Sequence, residues 1–585
     1  MKKFWKFVLG AFIGSLIALL VLFFITLGMI GSLASLGGDD EAKAPAAGTI
    51  LKITGVVEEQ SGENMAINPL SMNMDMSKSL GIYKAVSAID AAAEDPSVKM
   101  IYIDADNFAS SISNGEEVRE ALSRFRESGK PVIAYSDNLT IGNYYLASVA
   151  DKVVLNAFGE VVFNGLSSNI MFYKDIIDKL GIDIQLIRHG KYKSAGEPFI
   201  KNDISPENRE QYECMLGTIW DTLVEGICAS RDFSAEQFNA WVDDLKIVDN
   251  KAALEMGIVD ELWYKDEMED YLCQLCEVET ADKLKVMDLA SYAAFKVKPE
   301  LRAKDKIAVI YADGQMMMED GSDGMIGENF AREIAKVRKD STVKAVVFRV
   351  NSPGGAVQAA AVIAREIALL QESKPVVASF GDYAASGGYW VSSQCDKIFS
   401  DKSTLTGSIG VFGIVPSFGR AIKKNLYINT VEVSNSKHGS LMDGLHPLDD
   451  EEVAYMQHGI ENVYAEFTGR VAEGRGMTVE AVDDIAQGRV WAGGNALEIG
   501  LVDEIGSLHT AIEYAAAAAN LEKYQIAEYP APKSTMEKLM EIFQGGVSVK
   551  VDAPEAVSSA AEDLLWLESL DRPVIMARMD NICIK

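Results

Sequence analysis

Short apolar runs recur along the chain, and stretches with helical spacing separate them. Ile307-Ala308-Val309-Ile310-Tyr311, Ala345-Val346-Val347-Phe348-Arg349-Val350 and Pro375-Val376-Val377-Ala378-Ser379-Phe380 are nearly continuous in apolar residues and predict strands buried on both faces. Helical patterns over Gly327–Arg338, Ala356–Gln371 and Ser386–Gln394 alternate with them. That alternation predicts an α/β fold with mostly parallel strands. Two longer amphipathic helices are predicted over Ser205–Ser230 and Glu451–Arg475.

The same order of elements occurs twice. Asp95-Pro96-Ser97-Val98-Lys99 matches Asp340-Ser341-Thr342-Val343-Lys344, and each copy runs into an apolar stretch. Lys130-Pro131-Val132-Ile133-Ala134 matches Lys374-Pro375-Val376-Val377-Ala378, Asp151-Lys152 matches Asp396-Lys397, and Gly257-Ile258-Val259-Asp260-Glu261 matches Gly500-Leu501-Val502-Asp503-Glu504. The spacing stays between 243 and 245 residues throughout. A repeat this long means tandem domains of one fold rather than a short-period solenoid. The expected boundaries are 49–295 and 300–525, with a tail from 526 to 585 that has no counterpart and no assigned role.

The copies differ where chemistry would sit. Ser386 in Ala385-Ser386-Gly387-Gly388-Tyr389 falls on Ile141 of the first copy, and Asn351-Ser352-Pro353-Gly354-Gly355 falls on Asp106-Asn107-Phe108-Ala109-Ser110. Lys193, in Gly190-Lys191-Tyr192-Lys193-Ser194-Ala195, lands near Gly439 of the second copy. The first copy lacks a nucleophile and a diglycine turn, and the second lacks the lysine.

The N-terminus sets the expected compartment. Lys2, Lys3 and Lys6 precede an uncharged run whose dense apolar part, Phe7 to Ile30, is long enough to cross a bilayer. It exceeds the usual core of a cleaved signal, although Ser32-Leu33-Ala34 is a passable cleavage site. Lysines before the span place residues 1–6 in the cytoplasm and the bulk beyond the cytoplasmic membrane. Residues 31–48 are the expected linker. A net charge of −31, from 86 acidic and 55 basic residues, argues against a nucleic-acid partner. Of the six cysteines, Cys273 and Cys276 form a lone pair on one helix, read as structural. Five histidines, none in ligand spacing, support no metal, and no cofactor is expected.

Ala-Ser-Gly-Gly presents a serine where a short loop enters a helix, and Asn-Ser-Pro-Gly-Gly ends a strand and opens another helix. Glycines there let N–H groups approach a ligand closely, so two such turns can form a two-donor oxyanion hole. Gly407-Ser408-Ile409-Gly410 reads as a turn. A serine needs a base. His189 has no evident acid partner, whereas Lys193, flanked by Tyr192, Ala195 and Phe199, can be neutral if buried. Lys191 and Lys437 are rivals on local sequence.

Together, Tyr192-Lys193-Ser194-Ala195 with Glu197-Pro198-Phe199-Ile200, Asn351-Ser352-Pro353-Gly354-Gly355 and Ala385-Ser386-Gly387-Gly388-Tyr389-Trp390 resemble the long, duplicated form of the signal peptide peptidase A (protease IV) family. Thr404 to Gly410 and Gln487-Gly488-Arg489-Val490-Trp491 add to the likeness, which runs from the N-terminal span to about residue 525. The resemblance implies tandem ClpP/crotonase-like domains behind an N-terminal transmembrane helix, a Ser386 nucleophile and a Lys193 general base. It also implies an oxyanion hole from Gly355 and Gly387, supported by Gly354 and Gly388. Cleaved signal peptides or other apolar peptides are the implied substrates, and a homotetramer is the implied assembly. A crotonase-type acyl-CoA enzyme and a non-catalytic membrane scaffold of the same fold are the competing readings.

Overall fold

The computed structural model describes residues 43–68, 73–300, 302–318, 325–531 and 575–579. The span expected at Phe7–Ile30 and Cys583 lie outside them. Among the described residues no helix is long and apolar enough to cross a membrane. Those from Ala46 onward form one compact unit.

Each repeat is built on its own mainly parallel sheet. The first runs through Thr49–Glu58, Val98–Ser110, Val132–Thr140, Lys152–Val162 and Glu261–Leu262. Its counterpart runs through Lys306–Asp313, Val343–Ser352, Val376–Ala385, Lys397–Ser400 and Glu504–Ile505. Helices follow the strands at matching places: Ile82–Glu94 and Gly327–Lys339, Ile112–Glu127 and Val357–Gln371, Pro206–Cys228 and Asp450–Arg475. The last pair start at side-chain caps, with Ser205 accepting from Asn208 N and Asp449 from Glu452 N.

The continuous apolar runs make sense once both sheet faces are seen. Ala308, Ile310, Val346, Phe348 and Val350 face one core, against Phe330, Ile334, Ile363 and Ile367 of two helices. The alternating residues Ile307, Val309, Ala345 and Val347 face a second core that continues into the first repeat. The repeats therefore share a core, and Arg349 lies on the shared face.

A third sheet joins the two repeats and the tail. Its order is Met325–Ile326, Met316–Met317, Gly354–Ala356, Ile575–Arg578, Val411–Ser417 and Asp183–His189. The tail, unassigned from sequence, contributes two strands: Gln525–Tyr529 lies parallel beside Lys306–Asp313, and Ile575–Arg578 enters this joining sheet. Cys273 is buried and Cys276 half-buried, and both are free thiols, as are Cys214, Cys228 and Cys395.

Candidate active site

The joining sheet delivers the lysine. Asp183–His189 pairs antiparallel with Val411–Ser417, which carries the following loop across the repeat boundary. Tyr192 N donates to Gln487 O at 2.9 Å, Arg188 Nη1 to Lys193 O at 2.6 Å, and Gln211 Nε2 to Ser194 Oγ at 2.9 Å. Gly488 closes the loop from the other side: a Cβ there would stand 2.6 Å from Lys193 Cβ, so only glycine allows this approach. The acid of the motif, Glu197, is fully buried and holds Arg188 and Lys201, a scaffolding task.

The serine comes from the second repeat. Val376–Ala385 ends beside Leu405–Gly407, and Ser386 N donates to Gly407 O at 2.8 Å. Ser386 has φ 55° and ψ −112°, a conformation that costs a non-glycine residue roughly 1–3 kcal/mol. The helix predicted from Ser386 to Gln394 is the shorter Gly387–Ser392, with Ser386 standing before it as a strained corner. Trp390 N donates to Ser386 O at 2.8 Å and fixes that corner.

The two meet. Lys193 Nζ donates to Ser386 Oγ at 2.7 Å, and both side chains are essentially buried. Lys193 Nζ also reaches the Ser408 carbonyl at 3.0 Å and the Ser408 hydroxyl at 2.9 Å. The Gly407–Gly410 segment, read from sequence as a turn, therefore orients the amine. Ser408 is the residue the sequence reading missed, and its left-handed φ of 49° in a glycine-flanked loop is the signal that could be found only in three dimensions.

The rivals point elsewhere. Lys191 is exposed over the Tyr192 ring, and Lys437 is an exposed partner of Glu451. His189 does have an acid partner, contrary to the sequence reading: Nδ1 lies 2.6 Å from Glu461 Oε2, and the ring stacks on Tyr464.

The glycines take distinct places. A Cβ on Gly355 would lie 2.1 Å from Met316 O, and one on Gly388 would lie 2.6 Å from Ser352 O. Gly387 opens the helix after Ser386, where the first N–H groups lack intrahelical partners. The Gly354 amide donates to Ser352 Oγ at 3.2 Å.

This chain's own tail adds a strand beside the diglycine turn. Ile575–Arg578 runs antiparallel to Gly354–Ala356 on one side and Val411–Ser417 on the other. Met579 N donates to Pro353 O at 2.9 Å, and Met579 with Arg578 lines the cleft beside Lys193 and Tyr192. An added strand of this kind is how extended peptides are commonly held. A chain ending at residue 574 is expected to cleave a short peptide about tenfold faster at low substrate, because the tethered strand competes at millimolar effective concentration. Initial rates of the two chains check this, and equal rates would mean the strand does not obstruct the groove.

The model of "Peptidase family S49" matches residues 124–279 and 368–522, one segment in each repeat. The chain belongs to peptidase family S49. It is 34% identical to "Protease 4" of Salmonella typhi over 96% of this chain and 94% of that one. "Protease 4" of Haemophilus influenzae is 33% identical over 85% and 83%, and "Serine protease SPPA, chloroplastic" of Arabidopsis thaliana 30% over 84% and 73%. The chain is accordingly a serine peptidase, a hydrolase, with a mixed α/β fold and a duplicated family region.

Proposed function

We propose that this peptidase is an endopeptidase anchored in the cytoplasmic membrane by residues 7–30, and that it degrades cleaved signal peptides on the outer side. The relatives' names and the apolar N-terminal run support that reading. In the proposed mechanism Ser386 is the nucleophile and Lys193 the general base. The observation that carries these roles is the 2.7 Å contact between Lys193 Nζ and Ser386 Oγ in a buried setting.

Ser386 Oγ attacks the scissile carbonyl while neutral Lys193 takes its proton. The Gly355 and Gly387 N–H groups hold the oxyanion, each worth roughly 3–4 kcal/mol. Collapse breaks the C–N bond, and Lys193 returns the proton to the leaving amine. Water then attacks the ester, with Lys193 again as base, and frees Ser386. Ser408 keeps the amine aimed throughout. Two ClpP/crotonase-like repeats, at 49–295 and 300–525, supply one half of the pair each. The assembled form is a closed homo-oligomer, read as a tetramer from the family resemblance.

A fluorophosphonate tests the nucleophile. Its phosphorus is expected to bond to Ser386 Oγ with loss of fluoride, seen as a mass shift on the peptide containing Ser386 and absent from Ser386→Ala. Labelling of another serine, or none, would refute the assignment.

A further inference from the structure

One short segment of the second repeat touches every part of the proposed dyad. Gln487 O accepts from Tyr192 N at 2.9 Å, in the loop that carries the lysine. Gly488 lies against Lys193, where a Cβ would stand 2.6 Å from Lys193 N, and its own N–H donates to Ile409 O at 2.8 Å. Arg489 O accepts at 2.7 Å from the N–H of Ser408, the residue that orients the amine. Val490 then pairs with Gly407, whose carbonyl receives the Ser386 N–H. The base loop, the Ser408 turn and the approach to the serine are all referred to this one stretch.

The segment opens in a conformation that its first residue does not favour. Gln487 has a left-handed φ of 54°, and Gly488 follows at 79°. Glycine takes this region freely, whereas a glutamine there is strained and persists only where its surroundings over-determine it. Ser386 and Ser408 are left-handed as well, at 55° and 49°, so backbone strain gathers around the Lys193 amine.

The groups that hold Gln487 come from two helices. Its Nε2 donates to Asp483 Oδ1 at 2.6 Å and to Tyr464 Oη at 3.4 Å, and its N–H donates to Tyr464 Oη at 3.4 Å. Tyr464 Oη in turn donates to Asp483 Oδ1. Asp483 belongs to Val479–Ile485 and Tyr464 to Asp450–Arg475. Tyr464 is buried, and its ring stacks on His189, the last residue of the strand that leads to the lysine loop. Relaxing Gln487 to an ordinary φ would turn its carbonyl away from Tyr192 N and move Gly488 against Lys193.

We propose that Gln487 is a positioning residue: Tyr464 and Asp483 brace it in its left-handed conformation, and it keeps Lys193 Nζ in reach of Ser386 Oγ. This rests on the dyad proposed above and adds the part that sets its geometry. The contacts of Gln487 run to the loops that carry the reacting groups, so its effect falls on kcat rather than KM.

The test uses the full-length chain in detergent and a Leu/Ala-rich signal peptide, with a fluorophosphonate taken to completion to count competent sites. Gln487→Gly adopts the same φ without strain but loses the side-chain brace. It is expected to lower kcat per labelled site by about tenfold or more, the cost of a misplaced reacting group. KM and melting temperature should stay near wild type, because relief of strain offsets the lost hydrogen bonds. Tyr464→Phe keeps the buried ring and loses only the hydroxyl, and it should lower kcat in the same way. The double variant should be no slower than the slower single one, because both act through one residue. Leu245→Gly, which relaxes an exposed left-handed residue of the first repeat, should leave kcat unchanged. An unchanged kcat per labelled site in Gln487→Gly, or a loss that only follows a lower melting temperature, would overturn the positioning role and leave the dyad standing. If Ser386→Ala cleaves the peptide as wild type does, the dyad falls and this inference with it.

Discussion

Lys193→Ala is expected to lower kcat/KM for a Leu/Ala-rich signal peptide by about a thousandfold, the ordinary yield of a positioned acid–base group. Lys193→Arg should be as inactive, because a guanidinium does not lose its proton in a protein. Ser386→Ala should be at least as severe, and the double variant no worse than either single one, because the two groups act as a unit. Lys191→Ala and Lys437→Ala should stay near wild type, since both amines are exposed and engaged elsewhere. The pH profile supplies a sharper readout. Only neutral Lys193 can accept the serine proton, so the rate should rise with pH as the amine discharges. A rate flat from pH 6 to 10, with the variants folded, would exclude Lys193 as the base.

The second large effect concerns stability at the shared core. Arg349 is fully buried where the repeats meet, and its guanidinium takes Glu59 at 2.6 and 3.1 Å and Glu117 at 3.0 Å, all from the first repeat. It also donates to Phe380 O and Ser379 Oγ of its own repeat. Asp401 is buried nearby and adds a further carboxylate. Arg349→Met removes the cation and leaves the acids behind, a change worth about 3–5 kcal/mol when a buried pair is broken. Denaturant unfolding at pH 7.5 is the measurement.

The pH dependence there has an unusual sign. Burial pushes Glu117 up to about 6 and Glu116 up to about 7, and it raises Asp401 as well. The folded chain thus keeps protons that the unfolded chain releases near 4.3. These groups favour folding least once they have ionised, so stability should fall from pH 5 to pH 7.5. Arg349→Met should lose more at pH 7.5 than at pH 5, where protons can replace the missing cation. An equal loss at both values would show that the cluster is not the cause.

The parts legible in the sequence were those written locally or twice. Strands such as Val343–Ser352 announce themselves because burial on both faces leaves only apolar residues, and the spacing near 245 exposes the duplication. Ser386 and Lys193 could be singled out because each repeat shows what the other has lost. Ser408, by contrast, matters only because its carbonyl and hydroxyl fold back onto an amine 215 residues earlier. His189 looked unpartnered because Glu461 is 272 residues away. Arg349 was not singled out within its apolar run, because its partner Glu59 lies 290 residues upstream. Four residues of tail strand carry no periodicity long enough to detect. Contacts of this range leave no trace in spacing, because packing of the whole chain decides them.

The division of the dyad between repeats also orders events during synthesis. Lys193 leaves the ribosome well before Ser386, and the loop that holds it leans on Gln487 and Gly488, which come later still. A chain interrupted before residue 488 has made the amine without its clasp, and one interrupted before residue 386 lacks the proposed nucleophile. Proteolytic power thus arrives late and all at once, when most of the polypeptide is already made. Under the proposed dyad, fragments left by abortive translation should be inert toward the neighbours they would otherwise cut.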